Sequence, residues 1–156
     1  MTPDELREEI AAEMLAIKMT PAELKTLDQD VTNRAPTVRE QTAAAAFLAQ
    51  FYSGIENILK RICVYQSVPL PTGDTWHIEL FQHFCTPGHP SLPVLFDQSL
   101  AEELAPYRRF RHVAFHSYGF QLDWTRMAEG ITNAEGVFLR IEARLNHYLH
   151  SLSADN

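Results

Sequence analysis

Arg111 and His116 stand five positions apart, with Tyr118 two further on, inside the run Arg108 to Trp124, RRFRHVAFHSYGFQLDW. Each side chain brings a distinct capacity. An imidazole exchanges protons near neutrality. A guanidinium offers a charge-assisted, often bidentate clamp for a phosphate that gains negative charge during reaction. A phenol adds an oxygen that can be modified. The bare Arg-x4-His spacing says little, because ten Arg and seven His in a chain this long give about 0.45 matches by chance. Demanding Tyr at the third place lowers the expectation to roughly 0.01–0.02. The charge pattern adds to it. The stretch from Arg108 to Arg126 carries net +3, while the rest of the chain carries −10. An overall charge of −7 argues against a protein that coats nucleic acid nonspecifically, but leaves room for one local phosphate site.

Other residues invite weaker readings. His112 and His116 are four apart, a spacing that can ligate zinc on one helix face. No third ligand follows at a persuasive distance, and no metal or cofactor is expected. Arg108 and Arg109 are either phosphate contacts outside the reacting centre or a solvated helix face. Tyr52 and Glu56, with Asn57 beside them, form an i,i+4 pair. They read either as the polar edge of a long helix or as groups that orient Arg111 or His116 from across the fold. Trp76 and Trp124 read as core anchors rather than base-stacking platforms. His147 and His150 suit the end of a last helix.

The elements that must position these residues all read as helical. Thr2-Pro3-Asp4-Glu5, Thr20-Pro21-Ala22-Glu23, Ser99-Leu100-Ala101-Glu102 and Thr132-Asn133-Ala134-Glu135 are capping-box patterns, and each predicts a helix start. Phe47, Leu48, Phe51, Ile55, Ile58, Leu59 and Ile62 recur at three- and four-residue spacing within a long helix from Thr37 to about Gln66. Gly54 inside it points to close approach of another helix. Residues 28 to 36 and 68 to 74 read as connections, and Asp74 or Thr75 should cap a helix bearing Trp76, Leu80, Phe81 and Phe84. Pro106 should kink or restart the helix that carries the Arg-rich run, and Gly119 should stop it. No segment offers strand alternation.

The predicted fold is all-α: an up-and-down four-helix bundle with short additional helices. Residues 1–156 form one domain, with 1–36 an acidic helical arm and linker and 37–152 the bundle core. With 46% hydrophobic residues the chain can bury one continuous core. No apolar run is long enough to span a membrane. An acidic start and two cysteines without C-x-x-C spacing predict a cytoplasmic protein with reduced thiols.

The Arg-x4-His-x-Tyr constellation, FYSGIENILKRI from Phe51 to Ile62, GDTWHIELF from Gly73 to Phe81, and FRHVAFHSYGFQLDW from Phe110 to Trp124 together resemble HEPN-family proteins. The likeness is to the HepT-like ribonuclease toxins of HEPN/MNT toxin–antitoxin modules. It covers roughly residues 38 to 150. It implies a homodimer with the motif at its interface and metal-independent RNA cleavage through Arg111 and His116. It also implies a partner MNT nucleotidyltransferase that silences the nuclease by transferring AMP to Tyr118. Two further readings stand beside it: a HEPN module that dimerises or binds nucleotide or RNA without catalysis, and a plain helical adaptor.

Geometry sets one condition. On an unbroken helix, Arg111 and His116 lie about 140° apart. Either the helix ends before His116, or two protomers share one cleft.

Overall fold

The computed structural model describes residues 1–152, which hold α-helices, one short 3₁₀ turn and, among the described residues, no strand. The helices are α1 (Pro3–Ile17), α2 (Met19–Asp30), α3 (Val38–Tyr65), α4 (Trp76–Gln82), α5 (Gln98–His116) and α6 (Trp124–Leu152), with the 3₁₀ turn at Gly119–Gln121. The central element is α3, which touches all the others. Its buried side includes Leu48, Phe51, Ile55, Leu59 and Ile62, and fully burying each such side chain contributes about 1.5–3 kcal/mol. Facing it, α6 supplies Met127, Ile131, Val137, Phe138, Ile141 and Leu145 to the same core. Leu6, Ile10, Ile17 and Leu24 bring α1 and α2 into that core as well.

The capping box at Thr2 acts as the sequence indicates, and α3 opens on a further one. Thr2 accepts from the Glu5 amide while Glu5 accepts from the Thr2 amide, and Thr37 and Glu40 do the same for α3. Gly54 is where α1 comes close to α3. A Cβ there would sit 2.8 Å from Ile17 Cδ1 and closer still to Cγ1. A second close approach involves Gly119, whose missing side chain leaves room for Thr42 and Val38 of α3.

Elsewhere tertiary packing overrides the local signals. The helix predicted from Thr132 begins eight residues earlier, at Trp124. Asp123 accepts from the Thr125 amide at 3.0 Å, and Met127 and Ile131 extend the buried stripe upstream. The cap of α5 is Asp97, which accepts from the Leu100 amide at 2.8 Å, rather than Ser99. Pro106 does not interrupt α5. Leu104 and Tyr107 on either side of it are buried, and Tyr107 donates to the Gly130 carbonyl of α6 at 2.7 Å. Glu102 and Pro106 line an open groove beside α6, where water can meet the carbonyl that proline cannot. Thr20 does not cap α2, because its hydroxyl donates backward to the Ile17 carbonyl. Thr75 precedes α4, but its hydroxyl goes to the Glu79 carboxylate and not to a backbone amide.

Candidate active site

Tyr52 and Glu56, read either as a polar helix edge or as groups reaching Arg111 or His116 from across the fold, form a buried layer. Both side chains lie against α5 and α4, and Glu56 is 2% exposed. A carboxylate so deep is stable only when paired and hydrogen-bonded. Glu56 has two partners from different helices. Arg111 of α5 places Nε 2.9 Å from Oε1, and His77 of α4 places Nδ1 2.7 Å from Oε2. The triangle closes with Arg111 Nη1 at 3.0 Å from His77 Nε2, while Arg111 Nε also reaches the Ser53 hydroxyl at 3.3 Å.

This arrangement fixes a tautomer. A guanidinium nitrogen only donates, so His77 Nε2 accepts. The ring's one proton then sits on Nδ1 and is donated to Glu56. The ring is oriented by a carboxylate on one side and an arginine on the other.

His77 and Arg111 form part of the wall of a cleft of about 470 Å³ between α3, α4 and α5, lined also by Tyr52, Asp74, Arg108, Arg109 and His112. Glu56 compensates Arg111, whereas Arg108 and Arg109 belong to no ion pair among the described residues. Arg108 instead lies over the Phe81 ring, 4.4 Å from its centroid. Against these, Asp74 is the carboxylate among the lining residues, so the cleft remains net positive. The Tyr52 hydroxyl and Arg108 Nε are buried without a hydrogen-bond partner. Burial pushes the Tyr52 phenol well above its ordinary range, Glu56 adds to the rise, and Arg108 and Arg111 oppose it. Tyr52 is therefore a protonated donor at neutral pH.

Five of the residues singled out from the sequence thus meet at this cleft: Tyr52, Arg108, Arg109, Arg111 and His112. Glu56 does not line the cleft and is buried, paired with Arg111, which does. Asn57 points elsewhere, donating to Glu13 of α1 at 2.9 Å. His116 and Tyr118 are not among the cleft's lining residues. Because α5 continues to His116, the helix does not end early enough to swing that imidazole toward Arg111. His116 is exposed and packs its ring on His112, with centroids 4.3 Å apart. Tyr118 is 71% exposed and stacks on Phe120 at 5.5 Å. With Phe115, 70% exposed, these rings leave an aromatic surface around the end of α5.

Sequence reasoning passed over His77 and Ser53. His77 is the member of the triangle that no motif in the sequence marks. Its partners are 21 and 34 residues away, and no local spacing announces them. Cys63 and Cys85 are free thiols, and burial pushes Cys63 up to about 11. Among the described residues no helix is long and apolar enough to cross a membrane.

No curated protein and no solved structure matches the chain. A family model described as HepT-like protein does match, over residues 43–152. The matched span includes Tyr52, Glu56, His77, the three arginines and the Arg-x4-His-x-Tyr run, and its all-helical architecture agrees with the likeness seen in the sequence. The chain belongs to the HepT-like family of HEPN proteins.

Proposed function

We propose that this protein is a metal-independent endoribonuclease of the toxin type found in HEPN/MNT modules, acting on RNA as a homodimer. The observation that carries this reading is the positive cleft in which a carboxylate-held guanidinium, Arg111, stands beside Arg108 and Arg109. A preset guanidinium is what a phosphoryl group developing charge needs, since no reorganisation is required at the moment of reaction. Arg111 binds the scissile phosphate through its remaining donors, and Arg108 and Arg109 hold neighbouring phosphates. His116 moves a proton as acid or base and reaches the cleft from the second protomer, because its own α5 turns it away from Arg111. The exposed Phe115 and Phe120 support such a dimer. Large apolar side chains grouped on a surface mark interaction sites, and here they surround the imidazole that must be delivered. A requirement for the 2′-hydroxyl makes the activity specific for RNA over DNA.

Tyr118 is the silencing site in this proposal. Its exposure leaves the hydroxyl open to a nucleotidyltransferase, and an added AMP brings a negative phosphate to the basic end of α5, where it competes with RNA.

The test is cleavage of RNA in EDTA by the wild type, Arg111→Ala and His116→Ala, with folding checked by circular dichroism. Loss in both variants is expected, and undiminished cleavage in both would sink the mechanism. A folded wild type that binds RNA without cutting it would favour the non-catalytic binding module. Co-expression with a neighbouring nucleotidyltransferase should add the mass of AMP to the wild type and not to Tyr118→Phe.

A further inference from the structure

Transesterification of RNA moves two protons, one away from the 2′-hydroxyl and one onto the departing 5′ oxygen. The Arg-x4-His motif supplies one imidazole, His116, and that imidazole faces out of its own protomer's cleft. Two imidazoles line the cleft, His77 and His112. His112 is exposed and packs on His116, whereas His77 is held from two sides, with Nδ1 donating to the buried Glu56 carboxylate at 2.7 Å and the Nε2 lone pair directed at Arg111 Nη1, 3.0 Å away.

We propose that His77 is the proton acceptor for the attacking 2′-hydroxyl, an assignment that rests on the ribonuclease reading above. A phosphate oxygen carries charge and is a stronger acceptor for a guanidinium N–H than a neutral ring nitrogen. An entering phosphodiester therefore takes over Arg111 Nη1. That releases Nε2, while Arg111 stays anchored to Glu56 through Nε. The spacing then suits the substrate. A clamp and a base about one hydrogen-bond length apart match a phosphate and the hydroxyl poised beside it, whose reacting atoms lie roughly 3–3.5 Å apart.

The 2′-oxygen forms its bond to phosphorus as its proton passes to His77 Nε2. The bond from phosphorus to the 5′ oxygen breaks, and that oxygen takes a proton from His116. The products are a 2′,3′-cyclic phosphate and a 5′-hydroxyl. The imidazolium formed at His77 remains bonded to Glu56, whose negative charge stabilises it. Glu56 acts through His77 and Arg111 and is a positioning residue.

His77→Gln separates proton transfer from positioning. The amide oxygen can still accept from Arg111 and the amide nitrogen can still donate to Glu56, but the group cannot take up a proton. The probe is an oligoribonucleotide that the wild type cleaves, together with the same strand carrying a 2′-deoxy residue at the mapped position, which binds and cannot react. His77→Gln should lose on the order of 10²-fold or more in cleavage while binding the deoxy strand within about threefold of wild type. A bridging 5′ sulfur at the same position needs no acid. It should restore His116→Ala and leave His77→Gln impaired. Cleavage by His77→Gln close to wild-type rate would overturn the assignment and leave the ribonuclease reading intact. So would a loss of deoxy-strand affinity as large as the loss of rate, which would make His77 only a support for Arg111. A wild type that cuts no RNA would overturn both.

Discussion

Glu56→Gln tests the physical basis of the site without reference to any substrate. The substitution is nearly isosteric, so packing is preserved and what changes is charge. In the wild type the Glu56 side chain is 3% exposed, accepts from His77 and forms an ion pair with Arg111, whose side chain is 27% exposed. Removing one partner of a buried ion pair costs about 3–5 kcal/mol when the remaining charge has no other compensation. Arg111 keeps some contact with water, which moves the expectation to the lower end, about 2–3 kcal/mol. Urea unfolding at neutral pH, followed through tryptophan fluorescence, measures this directly. The double variant Glu56→Gln/Arg111→Gln removes both charges and should be more stable than the sum of the single effects predicts, with a coupling of about 1–3 kcal/mol. The exposed pair Lys25 and Glu135, 3.7 Å apart with both side chains more than 60% exposed, is the control. Its disruption should cost less than about 0.5 kcal/mol. If Glu56→Gln proved as mild as that control, or additive with Arg111→Gln, the buried triangle would not be the organising feature of the site.

Three further outcomes are expected. Gly54→Ala should destabilise by about 1–2 kcal/mol in the same unfolding assay, because overpacking against Ile17 costs about 1–3 kcal/mol and improved helix propensity returns up to about 1; Ile17→Ala should relieve part of it in the double variant. The Glu40 carboxyl is held near about 2, below its ordinary 4.5, first by hydrogen bonds from Arg34 and then by the Thr37 amide. A depressed folded pKa contributes stability that is present above the unfolded value and lost as pH falls through the folded one, so Glu40→Gln should flatten the acid limb of stability between about pH 4.5 and 2; an unchanged limb would count against the capping ion pair. Arg109→Gln should weaken RNA binding about equally across sequences and reduce the salt dependence by about 0.7 in log–log slope, whereas an unchanged slope would remove Arg109 from the phosphate path.

What was legible in the sequence follows the range of the forces involved. The apolar spacing of α3 and the box at Thr2 are local, and the helices form where those residues indicate. Gly54 was readable because a glycine in a helix interior costs about 1 kcal/mol and needs a spatial reason, which Ile17 supplies. Signals that depend on distant partners misled. Thr132 looks like a cap, but burial of Met127 and Ile131 against α3 and α5 extends α6 beyond it. Glu56 leaves two readings open, an exposed helix edge or a partner for Arg111 or His116, because the groups that neutralise it lie on α4 and α5. His77 had no local signature at all.

The same distinction bears on the motif itself. Arg-x4-His suggests two residues working together, yet along an unbroken α5 they face about 140° apart. Arg111 turns inward to a carboxylate and His116 turns outward onto His112. Because Glu56 cancels the charge of Arg111, the long-range attraction of the cleft for an anion comes from Arg108 and Arg109, while Arg111 contributes orientation at close range. Loss of Arg111 should therefore fall mainly on rate, and loss of Arg109 mainly on affinity. The His116 half of the motif is needed only where a second surface brings an imidazole to the cleft. In the homodimer proposed above, the exposed rings of Phe115 and Phe120 beside it are what a second copy would cover.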